Sequence, residues 1–125
     1  MLEKAIKVAA AIAVLFGVAS VLSGGRVLFG DGAAQAGEYV PFVLWFNFLA
    51  GFAYVAAGIA LWLRKRWAPL AALALALLTA LVFAAFGAHI LGGGAFEVRT
   101  IAAMSLRTVV WFAIAALALF AWRRA

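Results

Sequence analysis

Residues 69–91 read PLAALALALLTALVFAAFGAHIL, twenty-three positions with one hydroxyl, Thr79, and one ionisable side chain, His89. A helix of that length rises about 34 Å, enough to cross a hydrocarbon core about 30 Å thick. Every face of it is apolar. That excludes both the amphipathic surface helix of a soluble domain and the alternating pattern of a barrel strand. Lipid offers the backbone no hydrogen-bond partner, so such a run crosses as a helix.

Three more runs of this kind flank it, at about 5–22, 41–63 and 100–122. With their loops they take up all 125 residues as one integral membrane domain. Hydrophobic residues make up 70% and charged residues 11% of the chain, against roughly 45–50% and roughly 25% in soluble domains. The expected fold is therefore all-α, an antiparallel bundle of four transmembrane helices. Pro41 and Pro69 open the second and third helices, because a missing N–H is harmless in the first turn. Gly24 and Gly25 are expected to end the first helix, and Gly92 to Gly94 the third. Residues 1–23 also have the basic start and apolar middle of a secretory signal; the small-residue cleavage pattern is poor, and the segment reads as a retained first helix.

Lys4, Lys7, Arg64, Lys65, Arg66, Arg123 and Arg124 all fall at one end of such a bundle, leaving Arg26 and Arg99 at the other. The positive-inside rule then places both termini in the cytoplasm of a multi-pass protein of the bacterial inner membrane. Trp62, Trp67 and Trp122 fall at the same end, where an interfacial belt of amphipathic rings is expected. The net charge of +6 thus reads as topology, and nucleic acid is not an expected partner. The lipid bilayer is. Cysteine is absent, which removes disulfides and thiolate chemistry. No phosphate loop, zinc-protease helix or nucleophile elbow occurs, so the reading leans away from an enzyme.

Small residues form stripes at helical spacing: Ala10, Ala13, Gly17, Ser20 and Gly24 in the first helix, and Asn47, Gly51, Tyr54 and Gly58 (with a tyrosine among them) in the second. Such stripes allow close helix contact within the chain, and equally with a second copy or a partner membrane subunit.

The informative polar groups are those that lipid does not tolerate without a partner. Arg107 lies well inside the fourth helix, where a charge costs a few kcal/mol on insertion scales. It must either reach outward to the headgroups along its stem or be held inside the bundle. Trp111, one turn on, is either core or an aromatic wall beside the guanidinium. Arg99 opens the fourth helix, where the helix dipole disfavours a cation, and Glu97 and Glu38 are its nearest expected counter-charges. His89 is a core residue, a proton carrier or a ligand, and Met104 is the candidate second ligand of a metal or haem. Asn47 reads first as an interhelical hydrogen-bonding group.

Glu38, Tyr39, Asn47, His89, Glu97, Arg99, Arg107 and Trp111 together define a polar set in the outer half, with Ser20, Tyr54 and Thr79 assigned to an otherwise apolar inner half. The expectation is a polar pocket opening outward that binds an ion or small solute or docks a partner. The alternatives are a redox protein holding haem, a metal or a quinone, and a structural subunit of a larger complex. The cofactor, if any, is left open.

Overall fold

The computed structural model describes residues 2–29 and 41–124. They form α1 (Leu2–Phe29), α2 (Pro41–Trp62), α3 (Ala68–Leu91) and α4 (Val98–Arg124). All four are long and apolar enough to span a membrane. Glu38 and Tyr39 lie outside the described residues.

The helices pair as two antiparallel hairpins, α1 with α2 and α3 with α4. The first hairpin is closed by backbone approach. A Cβ on Gly17 would lie 2.5 Å from the Gly51 carbonyl oxygen, one on Gly51 would lie 2.8 Å from that of Gly17, and one on Gly58 would lie 2.9 Å from that of Ala10. For helices in a bilayer, dispersion between close-packed backbones replaces the hydrophobic drive that lipid removes. The two small-residue stripes therefore meet each other within the chain.

α1 does not end near Leu22. It runs through Gly24 and Gly25 to Phe29, seven residues further than the sequence suggests. Gly24 gives close approach instead of a cap: a Cβ there would lie 2.9 Å from the Cβ of Phe48. The added turns are held by aromatic edges, with Phe29 5.7 Å from Phe48 and 6.1 Å from Trp45 between ring centroids. Packing against α2 thus overrides the local preference of a glycine pair to terminate.

α2 and α3 end in the same way. The Lys65 N–H bonds the Ala60 carbonyl at 2.9 Å and that of Arg64 bonds Leu61 at 3.2 Å, while Gly94 bonds His89 at 2.9 Å and Gly93 bonds Ile90 at 3.0 Å. Both are Schellman closures with a left-handed residue, Arg64 at φ 58° and Gly93 at φ 86°. That conformation costs a residue with a Cβ about 1–2 kcal/mol. At Arg64 it is offset by Trp122, whose ring lies 4.2 Å from the guanidinium and whose Nε1–H donates to the Lys65 carbonyl at 3.2 Å. Trp122 is therefore a brace on the α2–α3 turn as well as a candidate interfacial ring.

The interior has two apolar regions. Toward the basic end, alanines such as Ala60, Ala72, Ala76 and Ala118 pack with Ile6 and Leu61. Toward the opposite end, Val43, Phe86 and Met104 form a separate cluster, flanked by Phe83, Ile90 and Phe96.

Candidate functional site

On α4, Met104, Arg107, Trp111, Ala115 and Ala118 recur at intervals of three and four, so the helix that buries its apolar stripe carries Arg107 inward with it. Arg107 is nine residues from the Val98 end of α4, and Ser20 is nine from the Phe29 end of α1. Both therefore lie about 13 Å from the same end of the bundle. The Arg107 Nη1–H donates to Ser20 Oγ at 2.6 Å. The guanidinium lies 6.0 Å from the Phe16 ring and 5.9 Å from that of Tyr54. Arg107 is thus held between α1 and α4 by Ser20, half-buried, and does not extend toward the end of the bundle.

From there the contacts continue across the molecule. Tyr54 stacks on Trp111 with 4.7 Å between ring centroids and 26° between planes. Its hydroxyl meets that of Thr79 at 3.1 Å, both side chains being fully buried. Ser20 on α1, Arg107 and Trp111 on α4, Tyr54 on α2 and Thr79 on α3 therefore form one contiguous layer to which all four helices contribute.

This layer is not saturated. Arg107 Nε, Trp111 Nε1 and Asn47 Oδ1 are sealed from solvent and have no hydrogen-bond partner among the described residues. Each buried orphan costs about 1–3 kcal/mol. Asn47 lies on the face of Tyr54, seven residues before it, and its terminal amide can turn to present N–H groups as readily as oxygen. No described carboxylate pairs with Arg107: Glu97 is 3.9 Å from Arg99, and Glu3 belongs to the basic end. A cation with unused donors in an apolar surround is what an anionic or acceptor-rich guest would relieve.

The remaining expected site residues do not join this layer. The Arg99 and Glu97 side chains are 73% and 35% exposed at the rim, where an ion pair contributes little. His89 Nε2–H donates to the Ala95 carbonyl at 2.9 Å, and its ring sits edge-on to Phe42. A Cβ on Gly94 would run into that ring, so histidine and glycine together shape the α3–α4 loop. Met104 is instead packed with Val43 and Phe86. Among the described residues no three His, Asp or Glu side chains group as a metal site. The described residues of the polar set thus divide into a rim (His89, Glu97, Arg99) and a centre (Arg107, Trp111), with the Val43, Phe86, Met104 cluster between them and Asn47 two turns from Tyr54 on α2.

Ser20, Tyr54 and Thr79 belong to the centre with Arg107 and not to a separate inner half: Ser20 is nine residues from Phe29, Tyr54 thirteen from Pro41 and Thr79 twelve from Leu91. A signal was present: Tyr54 and Asn47 are seven residues apart on one face. What the sequence does not show is the length of α1: with its end at Phe29 and not at Leu22, Ser20 lies about 13 Å from that end instead of about 3 Å, level with Arg107. No family model, curated protein or solved structure matches the chain.

Proposed function

We propose that this chain is a multi-pass membrane protein that binds a small anionic or strongly hydrogen-bond-accepting molecule at the centre of its helix bundle. The observation that carries the reading is Arg107, a guanidinium with one hydrogen bond, to Ser20, and no carboxylate among the described residues. A guest carboxylate or comparable anion would accept from the guanidinium and neutralise it. Trp111, one turn along α4 from Arg107, is a further donor able to hold its remaining oxygens. The bland alternative, a permanently unpaired arginine in an apolar interior, would cost several kcal/mol with nothing gained.

The test is a thermal-unfolding titration of the detergent-purified protein with acetate, benzoate, nitrate and chloride at constant ionic strength. A ligand of the folded state stabilises by about 2.7 kcal/mol at a hundred times its dissociation constant. We expect a saturable rise in melting temperature for at least one carboxylate. A flat response to every anion would sink the reading.

Within this reading the basic end faces the cytoplasm, supported by Lys4, Lys7, Arg64, Lys65, Arg66 and Arg123 lying at one end of four candidate spans. The host membrane proposed for it is a bacterial inner membrane. A protease-cleavable tag after residue 125 should be cut in inverted vesicles and protected in intact spheroplasts. The reverse pattern would overturn the orientation.

A further inference from the structure

A second observation concerns how a guest would reach Arg107. α1 and α4 are the least intimate of the neighbouring helices, and between them runs an open apolar groove of about 440 Å³. Its walls include Val8 and Ile12 on α1 and Val110, Ala113, Ile114 and Leu117 on α4. Phe16 and Ser20 follow Ile12 on the same face of α1 at steps of four. Arg107 precedes Val110 and Ile114 by three and seven on α4. The groove is therefore the continuation, toward the basic end, of the valley that the Ser20–Arg107 bond closes. Arg107 itself is only partly buried, unlike Trp111 behind it.

A water-soluble anion has no polar path along this groove. A molecule already dissolved in lipid does. The groove is bounded by α1 and α4 alone, and its volume of about 440 Å³, extending about 15 Å along α4 from Arg107 to Leu117, suits one alkyl chain and not two. The head must carry negative charge, because a neutral carbonyl accepts a hydrogen bond but leaves the guanidinium charge unbalanced, whereas a carboxylate accepts two parallel N–H bonds and neutralises it. A second apolar groove, between α1 and α2, has Trp62 in its wall with Lys7 Nζ 4.7 Å from the ring, and none of the buried unpaired polar atoms of the described residues is in its lining.

We infer that the natural guest is a single-chain lipid carboxylate, a long-chain fatty acid anion, with its head on Arg107 and Ser20 and its tail in the α1–α4 groove. This rests on the central-site reading above and narrows it to a ligand class and a lateral route of entry.

The experiment uses the full chain in phosphatidylcholine nanodiscs with a palmitate analogue carrying a diazirine near the tail end. Photolysis should label the groove walls, residues 5–12 and 110–117. Excess palmitate should abolish the labelling, while methyl palmitate and a decyl quinone should not. Arg107→Gln and, separately, the groove-filling Ala113→Trp should each weaken labelling about tenfold or more, equivalent to about 1.4 kcal/mol. Labelling that persists under excess palmitate and in both variants is that of bulk lipid, and overturns the proposal. Equal displacement by methyl palmitate or the quinone overturns the requirement for charge. If palmitate displaces nothing from the unaltered protein but does so in Asp31→Asn or Glu38→Gln, the chain's own carboxylate is the counter-ion and the proposal is overturned as well. If acetate raises the melting temperature through Arg107 but palmitate neither labels nor competes, the central anion site stands and the groove does not; if neither binds, both fall.

Discussion

Arg107→Leu should abolish the anion-dependent rise in melting temperature while leaving the ligand-free protein at least as stable as its parent. The two halves of this expectation come from different energies. Leucine removes a charge that costs about 2.5–3.5 kcal/mol at the centre of a spanning helix. It forfeits the bond to Ser20, and a hydrogen bond to a charged group contributes about 1.5–3 kcal/mol. Ser20 is not stranded, because a helical serine can turn its hydroxyl to the carbonyl four residues back. These contributions nearly cancel in the free protein. In the complex nothing offsets the loss of the charged donor, so affinity should fall about a hundredfold, equivalent to about 3 kcal/mol. Arg107→Lys keeps the charge without the planar fork and should bind between the two. Stability retained with binding lost is the signature of a site maintained at the expense of stability. A variant that simply unfolds, or one whose anion response equals the parent's, would show Arg107 to be structural.

The second large effect is expected where the helices touch by backbone. Gly17→Leu should lower the melting temperature by roughly 10 °C or more, from overpacking of about 3 kcal/mol. The reason is what the new side chain meets: the Gly51 carbonyl oxygen and the Val55 backbone nitrogen lie 2.5 and 2.8 Å from the built Cβ. A flexible side chain could swing aside; helix backbone can yield only by moving α2. Since Tyr54 is on that helix, its stacking on Trp111 and its approach to Arg107 should loosen with it. Gly87→Ala is the matched control. Its Cβ meets nothing within 4 Å, and the helix gains up to about 1 kcal/mol in propensity. If both substitutions are equally harmless, α1 and α2 are not packed as described.

The four helices were legible in the sequence because length and hydropathy are local properties: 69–91 is too long and too uniformly apolar to be anything else. So were the turns at residues 64–67 and 92–94, where charge and glycine interrupt the runs. The small-residue stripes were legible as contact faces, though not as faces that meet each other. Arg107 and Trp111 were legible as anomalies, since a guanidinium and an indole in mid-helix stand out against alanine and leucine.

What only the tertiary structure decided is which of the polar groups share a layer. Hydropathy does not report the height of one helix against its neighbour. That height is set by where Gly17 lets α1 sink against Gly51 and by aromatic contacts that carry α1 on to Phe29. Those long-range contacts bring Ser20 to Arg107 and Tyr54 between Trp111 and Thr79, while an apolar cluster holds His89, Glu97 and Arg99 apart at the rim. The four candidate spans thus lay in the one-dimensional pattern, because length and hydropathy are summed residue by residue. The site lay in packing, because a binding centre is a relation between helices and no single helix encodes it.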